Sequence, residues 1–365
     1  VEFSELEAVY KRWLSLEHDP DLIRTIYSIL LANYYDGNPV WGMFIGPAGC
    51  GKSQILMSLS GSDLIVPVSN LTPQALASGY GDGSDSLLYE LDEKILVVED
   101  MSSVTEMPKE AKNLLFSFFR AAYNGEFIRV TGRNKISWRG KFGLLAGATL
   151  ALESGRKMES MLGERFLYIR SRANGIDERT LMRMARKNIS KKTIMAKELS
   201  NASGEFLSKF KAPNTVKLPD DIEELVDACA IALAKGRSGV VRDGYSKEVS
   251  FPVDRSELGT RLCGQFGLLA ESSHALGGSW VDVKRVLYRI MHDSMPYPRL
   301  RILKAIAFGN VRLREITKSV QMSGSYVQRT LEDMVSTKSI EKNRKKEYEI
   351  VDKVMLESVT RNLRN

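Results

Sequence analysis

Residues Gly46 to Ser53 read GPAGCGKS, the spacing G-x-x-x-x-G-K-[ST] in which a backbone cradles phosphate. The glycines let the chain wrap closely enough for its N–H groups to face phosphate oxygens, and a following helix adds a positive dipole end. Gly46, Pro47, Ala48, Gly49, Cys50, Gly51, Lys52, Ser53 and Gln54 are therefore expected to hold ATP. Lys52 reaches the β- and γ-phosphates in this reading, and Ser53 gives its hydroxyl oxygen to Mg²⁺. Two further tips carry suitable groups. Glu99-Asp100 close the apolar run ILVV, and carboxylates there can hold a hydrated Mg²⁺ and orient an attacking water. Thr149 closes FGLLAGAT, where a hydroxyl can position that water.

These groups need strands ending side by side. The apolar run Trp41 to Ile45 precedes the glycine loop as a buried strand does, and Gln54 to Leu59 continues it at helical spacing. Further strands are expected at 64–68, 95–98, 142–146 and 166–169. Unbroken apolar runs of this kind indicate a parallel sheet covered on both faces by helices. Asp19 to Asp36 reads as a helix stopped by Gly37-Asn38-Pro39. Residues 173–296 show mostly helical periodicity with a Gly-rich turn at Gly236 to Gly244. The segment from Glu126 to Trp138 alternates as a hairpin that turns at Thr131 to Asn134.

Phe116 to Thr149, FSFFRAAYNGEFIRVTGRNKISWRGKFGLLAGAT, resembles the helix, hairpin and sensor strand of AAA+ ATPases with a hairpin inserted before sensor 1. That group includes the minichromosome maintenance helicases, the Holliday-junction branch-migration motors and the sigma-factor-dependent activators. The resemblance implies an α/β P-loop NTPase core with a parallel sheet between helices (1–172), an α-helical lid (173–296) and a C-terminal winged-helix domain (297–365). It implies a DNA-gripping hairpin with Arg133 and Lys135 at its tip. Gly163-Glu164-Arg165-Phe166 resembles the segment that sends an arginine finger to a neighbouring subunit, with Arg170 and Arg172 as alternatives to Arg165. Thr260-Arg261-Leu262 resembles the start of the sensor 2 helix, with Arg261 facing the nucleotide and Arg255 as its rival. Most relatives place Asp before Glu at the acidic tip, whereas this chain has Glu99 first. Either the two swap roles, or Asp100 serves the metal and another group polarises the water. The shorter carboxylate favours Asp100 at Mg²⁺.

The C-terminal 69 residues, from Tyr297 on, carry 15 Lys+Arg against 8 Asp+Glu, and the whole chain has a net charge of +7. All of the excess positive charge thus sits in this module, which points to a polyanionic partner. Helices at 299–307, 311–320 and 325–336, then two short strands around a basic turn, are similar to a winged helix. Ser325, Tyr326, Gln328 and Arg329 would face a groove, and Lys342, Arg344, Lys345 and Lys346 would approach phosphates.

At 365 residues with 43% hydrophobic and 27% charged side chains, the chain reads as a soluble globular protein of two or three domains. No apolar run is long enough for a membrane span, and Val1 to Glu7 show no secretory signal. Cys50, Cys229 and Cys263 are far apart, which argues against zinc and disulfides and for a reducing cytosol. The resemblance to these AAA+ ATPases implies an ATP-driven DNA helicase or translocase of phage or mobile-element replication type. It would assemble as a homo-oligomeric, hexameric ring, with a primase, polymerase or helicase as a possible replication partner. The rival reading is an ATP-switched initiator, helicase loader or transposition regulator. The hairpin favours the motor, and the reversed Glu99-Asp100 pair favours the switch. A sigma-factor activator ranks last, because Gln74 to Asp85 lacks the Gly-Ala-Phe-Thr-Gly-Ala loop.

Overall fold

The computed structural model describes residues 2–77, 86–131, 134–154, 165–172, 177–212, 216–240, 242–243, 245, 248–249 and 258–361. Its chain divides into two compact units, residues 1–216 with 271–283, and residues 217–270 with 284–365.

The first unit begins with α1 (Phe3–Trp13) and α2 (Leu22–Ala32), followed by β1 (Trp41–Ile45), α3 (Lys52–Ser58), β2 (Ile65–Val68), α4 (Pro73–Ala77) and β3 (Ile95–Val98). Next come α5 (Lys109–Tyr123), the pair β4 (Glu126–Thr131) and β5 (Asn134–Arg139), then β6 (Gly143–Ala148), α6 (Ala151–Ser154) and β7 (Phe166–Arg170). Two helices, α7 (Glu178–Ile189) and α8 (Lys192–Lys209), follow. Five strands form one parallel sheet in the order β2-β3-β6-β1-β7. This is the expected mixed α/β architecture, and it is compatible with a P-loop NTPase fold.

The sheet is apolar on both faces, as a buried parallel sheet must be. β1, β3, β6 and β7 are buried throughout. Alternation sends Trp41, Met43 and Ile45 to one face with Leu96, Val98, Leu144 and Ala146. There the Trp41 ring packs against Phe119, Tyr123, Phe142 and Phe166 at centroid distances of 5.1–5.6 Å. Its indole N–H donates to Phe142 O at 2.9 Å, so this large side chain is buried without an orphaned donor.

The antiparallel β4–β5 pair is a sheet of its own between α5 and β6. Its root is apolar and buried through Phe127 and Trp138. Farther out, Ile128 and Val130 are exposed. The strands are one residue longer at the turn than the sequence suggests, because Thr131 pairs with Asn134.

The remaining elements are α9 (Asp220–Arg237), α10 (Thr260–Ala275), α11 (Trp280–Asp293), α12 (Tyr297–Ala307), α13 (Leu313–Val320) and α14 (Gly324–Ser336). A hairpin of β8 (Ile340–Lys342) and β9 (Tyr348–Ile350) and a last helix, α15 (Lys353–Arg361), complete the chain. Within the second unit, α15 lies against α9 and α12. Arg299 Nη1 donates to Gly236 O at 2.7 Å, and the Tyr288 hydroxyl to Glu357 Oε2 at 2.6 Å. Arg242 also grips α14, donating to Asp333 Oδ1 at 2.6 Å and to Arg329 O at 3.0 Å. Among the described residues, no helix is long and apolar enough to cross a membrane.

Candidate nucleotide site

The glycine loop runs from the end of β1 into α3, and two of its residues require left-handed backbone. Gly49 has φ +81° and Gly51 has φ +88°, conformations that glycine adopts without steric cost. Gly46 N donates to Ala148 O at 3.2 Å, which anchors the loop to the end of the neighbouring strand. Lys52 Nζ folds back over the loop, 2.8 Å from both Gly46 O and Pro47 O. These carbonyls hold the ammonium inside the turn that the motif reserves for phosphates. Ser53 follows as the second residue of α3, exposed at its first turn.

The strand order decides what surrounds the loop. β6 lies between β1 and β3, so Thr149 emerges between the phosphate loop and the Glu99-Asp100 tip. Parallel register aligns the ends, with Ile45 opposite Ala148 and Val98 opposite Ala146. The convergence is tight at Gly147, where an added Cβ would meet Glu99 O at 2.3 Å and the Leu56 side chain at 2.7 Å. Gly147 therefore marks the face of β6 turned to α3, and alternation in the paired strand places Val97 and Glu99 on that same face. Glu99 is half-buried, whereas Asp100 is exposed. Asp100 Oδ1 accepts the N–H of Ser102 at 2.7 Å. Ser102 in turn meets Thr149, whose N–H donates to Ser102 Oγ at 2.9 Å. Nothing in the local sequence marks Ser102, because its partner is 47 residues away.

A cavity of about 270 Å³ opens beside the loop. Leu16 and His18 contribute from the segment after α1, Gly49 and Gln54 from the loop and α3, and Leu181 and Met184 from α7. The wall is mostly apolar, which suits a flat heterocycle more than a charged group. Asn188 on α7 braces it by donating to Trp13 O at 3.0 Å, and Trp13 Nε1 donates to Glu198 Oε2 at 2.9 Å. Asp177 caps α7 through the hydroxyl and N–H of Thr180 and the N–H of Arg179. The Thr180 hydroxyl, followed by these N–H groups, lowers the Asp177 pKa.

The other expected site residues are distributed as follows. The Arg165 guanidinium lies over the Tyr123 ring, 5.6 Å from its centroid, just before β7. Arg170 ends β7, is buried and lies 5.9 Å from the Tyr168 centroid. The N–H of Arg172 donates to Asp19 Oδ2 at 3.4 Å. Lys135 occupies the β5 position opposite Val130, while its side chain and all of Arg133 lie outside the described residues, as does Arg255. Arg261 is the second residue of α10, in the second unit.

Also in the second unit, Ser325, Gln328 and Arg329 are exposed on α14, and Tyr326 is half-buried. Gln328 Nε2 donates to Glu332 Oε1 at 3.1 Å, and Arg329 Nε to Ser325 O at 3.0 Å. Lys342, Arg344, Lys345 and Lys346 are all exposed on the β8–β9 hairpin. Lys342 Nζ lies 5.5 Å from the Tyr348 ring centroid. Among the described residues no cluster of His, Cys, Asp and Glu is arranged to hold a metal by itself. A cation at Ser53 would therefore need the nucleotide and water beside any single carboxylate, the usual situation for Mg²⁺.

No protein-family model matches the sequence. The chain is similar to a tRNA dimethylallyltransferase of Buchnera aphidicola subsp. Acyrthosiphon pisum (strain APS), 26% identical over 196 residues. That match covers 52% of this chain and 61% of the relative, less than two thirds of its length. The similarity is distant, and with the parallel sheet and the glycine loop it is compatible with a P-loop enzyme.

Proposed function

We propose that this protein is an ATPase that works on nucleic acid, and that it is an AAA+ motor with the β4–β5 hairpin as its DNA-contacting element. One observation carries the reading: β6 lies between the strand of the phosphate loop and the strand of the acidic tip. A hydroxyl thereby stands between the phosphate cradle and two carboxylates, the set that hydrolysis of a terminal phosphate requires. Glu99, on the face of α3, is assigned to the Mg²⁺ bound at Ser53, in place of the Asp100 favoured by carboxylate length. Asp100, beside Ser102 and Thr149, takes the side of the attacking water. The apolar cavity receives the base. Arg165 is assigned to the active site of an adjoining copy in a hexameric ring, and Arg261 to the sensor 2 role. The segment 173–296 is the lid in this reading.

The second unit supplies the other half of the reading. Helices α12 to α14 and the β8–β9 hairpin follow winged-helix order, with exposed polar residues on α14 and four cations at the hairpin. That surface fits a phosphate backbone. A switch in place of a motor is favoured by one feature, the Glu99-Asp100 order, which suits slow turnover in an initiator or loader.

The test is ATPase and strand-displacement measurement on single-stranded, forked and four-way DNA, with Lys52→Ala as control. A motor gives DNA-stimulated hydrolysis and unwinding that Lys52→Ala abolishes. Hydrolysis with DNA binding but no unwinding transfers the assignment to the switch. Because the similar curated protein is named for tRNA, an RNA sample belongs in the same series. Stimulation by RNA alone would contradict a DNA motor.

A further inference from the structure

One serine joins two of the three strand tips that the hydrolysis reading uses. Ser102 opens the 3-10 turn Ser102–Glu106 after β3. Its N–H donates to Asp100 Oδ1 at 2.7 Å. Its hydroxyl oxygen accepts the Thr149 N–H at 2.9 Å and lies 3.0 Å from Thr149 Oγ1. The backbone beneath is fixed, because Met101 is fully buried and its N–H donates to Gly147 O at 2.7 Å.

Proton counting gives this arrangement a direction. A hydroxyl carries one proton and two lone pairs. The Thr149 N–H takes one lone pair of Ser102 Oγ. If Ser102 then places its proton on Thr149 Oγ1, the Thr149 proton is left to point outward. The reverse polarity points Thr149 lone pairs outward instead. A triphosphate is an anion and favours a donor over an acceptor at that spot. A triphosphate held beside Thr149 would therefore favour the first arrangement.

The geometry points to Ser102 as a positioning residue for hydrolysis. It sets the rotamer and hydrogen-bond polarity of Thr149 and ties that hydroxyl to the turn bearing Asp100. This inference rests on the hydrolysis reading above. It extends that reading to a residue outside the glycine loop, the acidic pair and the strand-end threonine.

The experiment compares steady-state ATP hydrolysis by the full chain and by the variants Ser102→Ala, Ser102→Cys, Ser102→Thr, Thr149→Ala and Ser102→Ala/Thr149→Ala. Melting temperature is followed for each. Loss of orientation alone predicts that Ser102→Ala lowers kcat about 30-fold, with KM for ATP within about twofold of wild type. Ser102→Thr, which keeps the hydroxyl, restores kcat to within about threefold, and Ser102→Cys, a poorer donor, falls between. The double variant is no slower than the slower single variant, because both changes break one unit. Should Ser102→Ala fail to fold, Ser102→Cys against Ser102→Thr carries the comparison. A kcat for Ser102→Ala within about twofold of wild type, failure of Ser102→Thr to recover activity, or losses that multiply in the double variant overturns the role. Wild-type protein without ATP hydrolysis overturns the underlying reading as well, so the two failures are read from different samples.

Discussion

At the scale of single residues, the candidate site is a set of short-range necessities joined by a few long-range hydrogen bonds. Lys52 already sits over the Gly46 and Pro47 carbonyls, so phosphate binding exchanges two neutral acceptors for a charged one. Cys50 reports on this loop. It is partly exposed, whereas Cys229 is buried. Burial, and then the Asp227 carboxylate, push the Cys263 thiol up to about 11, and burial pushes Cys229 upward as well. The thiolate is the nucleophile toward alkylating agents. At pH 8, iodoacetamide is therefore expected to label Cys50 first, MgATP to protect it, and Cys263 to react appreciably only as the pH approaches 11. Peptide mapping by mass spectrometry checks this, and equal labelling of Cys50 with and without nucleotide would place the triphosphate elsewhere. The glycine loop is legible in the sequence because its chemistry is contained in eight consecutive residues. Ser102 is not, since a serine near an acidic pair acquires a role only when β6 brings Thr149 beside it. The division of labour between Glu99 and Asp100 is equally hidden, because it depends on which sheet face meets α3.

At the scale of elements, α3 must be held so that Lys52 and Ser53 stay aligned with the strand ends. A fully buried hydroxyl cluster does this. The Tyr10 hydroxyl on α1 lies 2.5 Å from Ser58 Oγ at the end of α3 and 2.9 Å from Ser203 Oγ on α8. The Tyr27 hydroxyl of α2 lies 2.6 Å from the same Ser203 oxygen. Burial raises the pKa of both phenols, so both remain protonated donors at neutral pH. Tyr10→Phe removes one hydroxyl from a satisfied network and is expected to cost about 1–2 kcal/mol. Urea denaturation measures this, and an unchanged midpoint would show that the cluster does not support the fold. The strands are legible as apolar runs, and their bounds differ from expectation by one or two residues at β2, β6 and β7. Periodicity alone predicts one helix over 19–36, yet Asp19 to Asp21 lie before α2, whose first N–H groups need partners outside the helix. The helix at 353–361 is not legible in the sequence, because its apolar face has meaning only against α9 and α12.

At the scale of the whole molecule, the positive charge of residues 297–365 should govern any association with nucleic acid. Replacing Lys342, Arg344, Lys345 and Lys346 together by Ala is expected to weaken DNA binding at low salt. The slope of log affinity against log salt should fall by about 0.9 for each duplex phosphate that the variant no longer neutralises. Fluorescence anisotropy across a salt series checks this, and an unchanged slope would free the β8–β9 hairpin from that role. The packing that joins this module to α9 is invisible in the sequence, because Arg299, Arg242 and Tyr288 find partners tens of residues away. The proposed hydrolysis depends on a triphosphate held at residues 46–53 and cleaved beside Thr149. The most direct test is phosphate release in a single turnover with MgATP, comparing wild type, Lys52→Ala and Thr149→Ala. The expected result is tight binding with release in wild type, loss of binding in Lys52→Ala, and retained binding with release slowed by about two orders of magnitude in Thr149→Ala. Equal release rates in wild type and Thr149→Ala, or undiminished binding by Lys52→Ala, would contradict it.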